Sequence, residues 1–183
     1  MYYIKIERKK NSMKYAFFSA LLLSSLILSS AAMAADTVPF GDRINLVKNY
    51  NRTTPTIATG GILYDGAAKQ LQENGFKTVL DIRTLGEGVA AEKKVIEAAG
   101  MSYINLEVSG GTATDDAIVE QFSKWVDAAE KPMLIHCGSA NRVGTLWAQY
   151  LMKKGVSTEY AIQEGITVGM KPVLEEKLRS KIK

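Results

Sequence analysis

The sequence predicts an α/β fold in which a parallel or mixed central sheet is covered by helices on both faces. Two observations predict it. Short runs rich in aliphatic and β-branched residues alternate with longer runs whose apolar residues recur every three or four positions. The strand-like runs are apolar at nearly every position, which is typical of strands that are buried on both faces. In such sheets ligands bind beyond the carboxyl ends of the strands, so a functional site is expected there.

Turn-forming and capping residues mark the ends of the predicted elements. Asp65 can cap the first helix, and Gly75 follows that helix at the position where a left-handed residue stops it. Gly100 and Gly155 close later helices in the same way. The predicted strands are 56–59, 77–83, 103–108 and 132–136. The predicted helices are 66–74, 89–99, 115–129 and 143–154, with helical turns continuing to the C-terminus.

Several side chains are predicted to be buried. The helix over 115–129 carries an apolar face with the spacing of a helix that packs on a core. Trp147 in the next helix is predicted to join that core, and Asp81 and Arg83 are predicted to form a buried pair at a strand end. The residues of the apolar face are Ile118, Phe122, Trp125, Val126 and Ala129.

The net charge of the chain is concentrated at its N-terminus. The first 14 residues contain five basic residues and one acidic residue, which accounts for the whole net charge of +4. The remaining residues are formally neutral. A pI near 9.0 therefore does not indicate a nucleic-acid partner, because no basic excess is left to bind a phosphate backbone.

The N-terminus is typical of a secretory signal peptide. The basic stretch is followed by an apolar run of 13 residues, Ala16–Leu28, which is shorter than the ~20 residues that span a bilayer. The small-x-small tripeptide at residues 32–34 predicts cleavage before Ala35, with Met13 as an alternative start. We expect a periplasmic or secreted protein with no stable membrane insertion after cleavage; an uncleaved N-terminal anchor is the alternative.

The length of the chain predicts one domain. Its 183 residues divide into a signal peptide (1–34), an irregular lead-in (35–55) and one α/β domain (56–183). The mature part is long enough to form a core without a disulfide, which a single cysteine cannot supply within the chain.

The single cysteine lies in the loop most suited to chemistry. The last predicted strand ends at His136, a loop of small residues follows Cys137, and Arg142 opens the next helix. Backbone amides of such a loop and of a helix N-terminus form an anion site, to which Arg142 adds a planar, bidentate guanidinium. These N–H groups and the guanidinium favour the thiolate form of Cys137. The thiolate could attack phosphorus or carry a sulfane sulfur.

Three stretches of the chain resemble the cysteine-based tyrosine and dual-specificity phosphatases. The segment Leu134–Trp147, containing His-Cys-Gly-Ser-Ala-Asn-Arg, is similar to their active-site segment, and most similar to the bacterial beta-lactamase-hydrolase-like phosphatases. The segments 74–83 and 100–106 and the Gly-Gly pair at 60–61 add to the resemblance, which extends over residues 56–155.

The resemblance implies a role for each residue of the loop. Cys137 would be the nucleophile, Arg142 would bind the phosphate, and His136 would tune the neighbouring thiol. The backbone amides that would form the phosphate cradle belong to Gly138, Ser139, Ala140, Asn141 and Arg142.

The loop departs from the common phosphatase pattern at two positions. Four residues separate Cys137 from Arg142, where most tyrosine phosphatases have five. A four-residue loop resembles that of the rhodanese sulfurtransferases, which hold a persulfide. Val143 stands where a Ser or Thr commonly supports the thiolate, so Ser139 or Thr145 is the candidate for that support.

The third difference from the phosphatase pattern concerns the general acid. Many phosphatases present an aspartate on the loop before the last helix and strand, and Asp115 and Asp116 are the acids in that region. The alternative interpretation is that both residues interact with free N–H groups at the start of a helix.

The sequence therefore predicts phosphomonoester hydrolysis through a cysteinyl-phosphate, acting on a phosphorylated or other oxyanion substrate. A Cys137 persulfide sulfurtransferase and a non-catalytic anion-binding module remain the alternatives. We predict no metal and no cofactor, because one Cys and one His do not make a zinc site alone and nucleotide-binding glycine motifs are absent from the sequence.

Overall fold

The computed structural model describes residues 38–182. The predicted signal peptide lies outside the described residues. The strands are β1 Asn51–Arg52, β2 Ile57–Gly60, β3 Thr78–Asp81, β4 Ser102–Asn105 and β5 Met133–His136. The helices are α1 Ala67–Glu73, α2 Val89–Ala98, α3 Asp116–Ala128, α4 Asn141–Lys153, α5 Thr158–Val168 and α6 Pro172–Lys181.

The five strands form one mixed sheet in the order β1-β2-β5-β3-β4. Strand β5 is central and parallel to both neighbours, β3 and β4 are parallel, and β1 is antiparallel to β2. His136 is paired with Gly60 on one side and Asp81 on the other, so three strands end at the same level. The predicted α/β fold class is confirmed, and Cys137 follows the central strand at its carboxyl end.

The sheet separates two apolar cores because successive side chains of each strand point to opposite faces. Leu134 faces the core formed with α1 and α2, which includes Leu71 and Ile96. Met133 and Ile135 face the other core, formed with the last four helices. The fully buried side chains of this second core include Phe122, Leu146, Ile162 and Leu178.

The lead-in before β2 is more ordered than its sequence predicts. It contains a short 3₁₀ turn, Gly41–Arg43, and the strand β1. Val38 and Val47 are buried in the α1–α2 core. The two residues of β1 are too few to carry a period-two pattern, and their pairing with β2 comes from the tertiary structure.

Two local expectations are wrong. Trp125 is 43% exposed, because the buried face of α3 is narrower than predicted and centres on Val119, Phe122 and Val126. Asp65 makes no capping bond, because α1 begins after Gly66, which has a left-handed backbone with φ of 86°. The burial predicted for Trp147 is confirmed.

The helix that follows the Cys137 loop is held in place by a close crossing. Gly144 of α4 and Gly165 of α5 face each other, and a β-carbon on either would overlap the backbone of the other. This contact fixes the position of α4 at Gly144, two residues after Arg142. Among residues 38–182, no helix combines the length and apolar composition needed to cross a membrane.

Candidate active site

The chain turns sharply between β5 and α4 to form the 137–142 loop. Cys137 is almost fully buried, and its backbone N–H donates to the Gly60 carbonyl at 3.3 Å. Ala140, which precedes the first residue of α4, has φ of 67°, an uncommon conformation for a residue with a β-carbon. The turn places the sulfur beside the N-terminal end of α4.

The loop presents amides that are free to bind an anion. The Gly138 carbonyl accepts a hydrogen bond from the Ile62 N–H at 3.2 Å. Because N–H and C=O point in opposite directions across a trans peptide, the Ser139 N–H points away from Ile62. Within residues 38–182, the amides of Gly138, Ser139, Asn141 and Arg142 have no hydrogen bond to a backbone acceptor.

The Gly-Gly pair after β2 allows this loop to approach closely. Gly61 pairs with Ser139 in an isolated antiparallel bridge. A β-carbon on Gly61 would lie 3.1 Å from the Gly138 carbonyl oxygen and from the Ser139 Cα, closer than ordinary contacts allow. Gly60 has even less room, because its β-carbon would overlap the side chain of Val47. The absence of β-carbons at Gly60 and Gly61 thus leaves the space that the 137–142 loop and Val47 occupy.

Arg142 connects the loop to two other strand ends. Its Nη1 and Nη2 donate to the two carboxylate oxygens of Glu87 at 2.8 and 2.6 Å, and Nη1 also donates to the Val108 carbonyl at 2.8 Å. Glu87 follows β3 and Val108 follows β4. The hydrogen bonds with Glu87 raise the pKa of Arg142 most, burial opposes them, and attraction to the Cys137 sulfur raises it further.

Among residues 38–182, the oxygen acceptors of Arg142 leave one edge of its guanidinium, the edge that can face the Cys137 sulfur, without an oxygen partner. A guanidinium has five N–H donors, and the contacts with Glu87 and Val108 use three of them. The remaining two, on Nε and Nη2, point along the same side of the group. They form the two-pronged donor that binds an oxyanion bidentately.

Glu87 belongs to the candidate site, although the sequence patterns did not single it out. Its carboxylate also accepts hydrogen bonds from the backbone N–H and the hydroxyl of Thr84, both at 2.9 Å. The pKa of Glu87 is lowered to about 2, chiefly by Arg142 and further by Thr84. The spacing Thr84-x-x-Glu87 is that of a capping box, so a sequence signal for an ordered carboxylate was present.

A buried ionic cluster lies beneath the loop. Arg83 donates to Asp81 through Nε at 3.0 Å and through Nη2 at 2.7 Å, which confirms the predicted buried pair. The same Nη2 lies 2.8 Å from Glu92 of α2, and Glu92 lies 2.8 Å from Nε2 of the fully buried His136. Burial acts to raise the pKa of Asp81, but Arg83, His136 and Tyr103 together lower it.

This cluster has the composition of a metal site, and a guanidinium lies between its two carboxylates. Asp81, Glu92 and His136 offer ligand atoms within 4.8 Å of one another. Arg83 already pairs with both carboxylates and supplies the positive charge between them. The arrangement fits a structural support beneath Cys137, and no sequence pattern indicated that Glu92 belongs to it.

A family model described as "DSP-PTPase phosphatase fused to NAD+ kinase" matches residues 41–179, which include the whole site. The chain belongs to this DSP-PTPase family. A beta-lactamase hydrolase-like protein of Agrobacterium fabrum is 37% identical over 82 residues. That match covers 42% of this chain and 19% of the relative, so the chain corresponds to a small part of that protein.

Solved structures share the DSP-PTPase fold. The core catalytic domain of the yeast PP-IP phosphatase SIW14 is 15% identical, with a TM-score of 0.60 over 73% of this chain and 85% of that one. Pseudomonas aeruginosa TpbA is 22% identical, with a TM-score of 0.60 over 73% of this chain and 84% of that one. These matches and the family match confirm the predicted membership of a bacterial cysteine-based phosphatase family.

The two candidate acids of this DSP-PTPase domain lie at the start of α3. Asp115 occupies the N-cap position without a side-chain capping bond. The Asp116 carboxylate is exposed and pairs with Lys181 of α6 at 2.6 Å. Within residues 38–182, neither carboxylate has a hydrogen bond or ion pair to the 137–142 loop. Their role as general acids stays a prediction.

Thr145 and Ser139, the two candidates for supporting the thiolate, make their observed contacts with groups other than the Cys137 sulfur. Thr145 is fully buried and donates to the Asn141 carbonyl at 3.0 Å, within α4. Ser139 lies in the bridge with Gly61, and its carbonyl accepts from Asn49 at 3.2 Å. Asn141 also fixes the far side of the loop, because its side-chain oxygen accepts from the Lys171 N–H at 2.8 Å.

Proposed function

We propose that this chain hydrolyses phosphomonoesters through a cysteinyl-phosphate intermediate on Cys137. One observation carries the proposal: the sulfur lies beside a guanidinium with a free two-pronged edge and beside free loop amides. These donors would bind the nonbridging oxygens of a phosphate and stabilise the charge that they carry in the transition state. Membership of a phosphatase family supports the same reaction class.

The reaction would proceed in two displacements. In the first, the Cys137 thiolate forms a bond to phosphorus while the ester P–O bond breaks, and the departing oxygen takes a proton from an acid or from water. In the second, water attacks phosphorus and the S–P bond breaks. Inorganic phosphate leaves, the thiolate is restored, and one proton passes to solvent.

The identity of the acid affects the choice of test substrate. Glu87 is ionised near neutral pH because its pKa is about 2, so it is a poor proton donor. Asp116 is paired with Lys181, which favours its ionised form. We therefore choose an aryl phosphate, whose leaving group departs with little protonation.

The first test uses substitutions of Cys137 and Arg142. Cys137→Ser should abolish aryl-phosphate turnover, because a neutral hydroxyl is a weak nucleophile. Arg142→Lys keeps the charge but loses the planar fork, and should lower turnover by a factor on the order of 10²–10³. The matched control is Arg179→Lys on α6, whose guanidinium pairs with exposed Glu159 and should leave turnover unchanged.

A sulfurtransferase is the second candidate, because only four residues separate Cys137 from Arg142. In that reaction the thiolate would attack the outer sulfur of thiosulfate, the S–S bond would break and sulfite would leave. Cyanide would then remove the sulfur from the Cys137 persulfide as thiocyanate.

The same preparation distinguishes the two enzymes from a binding module. Vanadate should inhibit a phosphatase competitively, since it fills the same cradle. A mass increase of one sulfur on Cys137 after thiosulfate treatment, without aryl-phosphate turnover, would contradict the phosphatase proposal. Sulfate binding that depends on Arg142, with neither activity present, would indicate the non-catalytic module.

A further inference from the structure

The lead-in before β2 contributes a side chain to the 137–142 loop, although it lies outside every segment that resembles a phosphatase. The Asn49 side-chain amide donates from Nδ2 to the Ser139 carbonyl at 3.2 Å. Asn49 and Ser139 are 90 positions apart in sequence. The loop is therefore held partly by a segment whose sequence pattern predicts only irregular structure.

The backbone around Asn49 is fixed by hydrogen bonds to the segment that follows β2. The Lys48 N–H donates to the Ile62 carbonyl at 3.0 Å, and the Gly61 N–H donates to the Lys48 carbonyl at 2.6 Å. Asn49 itself has a left-handed backbone with φ of 50°, a conformation that asparagine adopts more readily than most residues with a β-carbon. Its side chain thus reaches the loop from a backbone that is anchored at Lys48.

Asn49 and Ile62 orient two consecutive peptides of the loop. The Ile62 N–H donates to the Gly138 carbonyl at 3.2 Å, and Asn49 holds the next carbonyl, that of Ser139. Because C=O and N–H point in opposite directions across a trans peptide, the N–H groups of these peptides point away from Ile62 and Asn49. The second peptide lies between the Ser139 and Asn141 amides, so its orientation affects the direction of both.

The peptide that Asn49 holds leads into a strained residue. Ala140 is fully buried and has φ of 67°, which a residue with a β-carbon keeps only when its surroundings hold it there. A β-carbon on Gly169 would lie 3.0 Å from the Ala140 β-carbon, so this side of the loop is closely packed. After Ala140, the Asn141 side-chain oxygen accepts from the Lys171 N–H at 2.8 Å. Asn49 supplies the corresponding restraint before Ala140.

We infer that Asn49 is a positioning residue of the candidate active site: its amide keeps the Ser139–Ala140 peptide in the orientation that directs the loop N–H groups to an oxyanion. The inference rests on the proposed function only in so far as the loop binds an oxyanion. Without this hydrogen bond the peptide can rotate and turn the Ser139 carbonyl toward the anion. A carbonyl oxygen in that place repels the anion, whereas an N–H group attracts it.

The test uses Cys137 as the reporter of oxyanion binding. It is the only cysteine in the sequence, so the mass added by iodoacetamide measures alkylation at this residue. Orthovanadate bound in the loop should protect Cys137, and the dependence of protection on vanadate concentration gives a dissociation constant without turnover. Asn49→Gly removes the amide but keeps a residue suited to a positive φ. It should raise the dissociation constant by about 3- to 10-fold, which corresponds to the loss of one hydrogen bond.

Asn49→Asp and a matched control separate positioning from charge and from stability. Asn49→Asp preserves the shape of the side chain but places a carboxylate against the Ser139 carbonyl, so the constant should rise at least as much as in the Gly variant, which adds no charge. The control is Asn51→Asp, because Asn51 also donates from Nδ2 to a carbonyl at 3.2 Å, that of Thr167 in α5. This variant loses an equivalent bond and gains the same charge, yet it should leave vanadate binding unchanged.

The outcomes separate this inference from the proposed function. A dissociation constant that is unchanged in Asn49→Gly, or raised equally in Asn51→Asp, overturns the inference whatever the chain hydrolyses. Protection that weakens in both Asn49 variants, in a chain that turns over no aryl phosphate, supports the positioning role and overturns the hydrolytic function. The same weakening in a chain that does turn over aryl phosphate supports both. Absence of protection in the wild type overturns both, because the loop would then bind no oxyanion.

Discussion

Glu87 determines how Arg142 is presented to a substrate. The Glu87 carboxylate accepts hydrogen bonds from Nη1 and Nη2 of Arg142, so the Nε and Nη2 edge can face an oxyanion. The Thr84 hydroxyl donates to the Glu87 carboxylate and holds it in place. The pair joins residues 55 positions apart in sequence. The carboxylate is 35% exposed, so its contribution to stability is limited by solvent, whereas its effect on orientation bears directly on the site.

Replacing Glu87 by Gln tests this positioning role. The substitution removes the charge while preserving the shape, so Arg142 should sample other orientations and kcat/KM for an aryl phosphate should fall by about tenfold. KM should rise, and the urea midpoint at neutral pH should fall only modestly because the Glu87 carboxylate is partly exposed. The control is Glu97→Gln, which removes an exposed carboxylate on α2 and should change neither KM nor the urea midpoint. Unchanged kinetics in Glu87→Gln would mean that Arg142 is held by Val108 and packing alone.

The lowered pKa of Glu87 also predicts the pH dependence of its contribution to stability. Because the folded-state pKa of about 2 lies below the ordinary value of 4.5, the ionised group stabilises the fold above pH 4.5. That contribution should disappear as the pH falls from 4.5 to about 2. The difference in free energy of unfolding between wild type and Glu87→Gln should therefore shrink over this interval, as measured by denaturant titrations at several pH values. A difference that grows on acidification would contradict the assignment.

At the scale of elements, α6 holds the loop that connects β4 to α3. Lys177 donates to the Gly111 carbonyl and Lys181 donates to the Thr114 carbonyl. From α4, Gln149 donates to the Ala113 carbonyl at 2.8 Å. Helix α6 therefore restrains the loop that leads to Asp115, one of the two candidate acids.

Substituting both lysines by Met should loosen that loop. Lys177→Met combined with Lys181→Met keeps most of the side-chain volume but removes two donors to loop carbonyls, so amide hydrogen exchange over residues 109–115 should become faster. Exchange in the central strands should be unchanged, because Leu178 still anchors α6 in the core. Lys124→Met, which removes an exposed lysine of α3, serves as the control. Exchange that is unaltered in the double variant would show that Gln149 and packing are sufficient.

At the scale of the whole molecule, the sheet carries a core on each face and an ionic cluster at its carboxyl edge. Asp81 and His136 end neighbouring strands, and Glu92 reaches them from α2, so the cluster joins the sheet to a helix beneath the candidate site. The Asp81 and His136 side chains are fully buried. Removing a member of such a cluster leaves buried donors without an acceptor, which affects the stability of the fold as a unit.

Asp81→Asn should accordingly destabilise the whole chain. Arg83 would keep Glu92 as a partner, but the buried donors of Arg83 and Tyr103 would lose an acceptor oxygen, so the free energy of unfolding should drop by about 1–3 kcal/mol. Urea denaturation followed by fluorescence and by circular dichroism should give the same lowered midpoint. Glu73→Gln, which breaks an exposed pair on α1, should cost about 0.5 kcal/mol or less. Equal effects of the two substitutions would show that the cluster contributes no more than a surface pair.

The sequence by itself determined the fold class, the central elements and the place of the cysteine loop. Those features depend on local patterns: apolar strands, three-to-four spacing, and glycines after helices. The small residues between Cys137 and Arg142 likewise predict a tight turn into α4 without reference to the rest of the chain.

Only the tertiary structure decided which distant groups meet at that loop. Glu87 reaches Arg142, Glu92 reaches His136, and Lys177 reaches the Gly111 carbonyl, in each case across tens of residues. A charged residue on a helix or turn has the same local pattern whether it faces water or a buried partner. Packing of the elements sets that difference, as it sets the pairing of β1 and the exposure of Trp125.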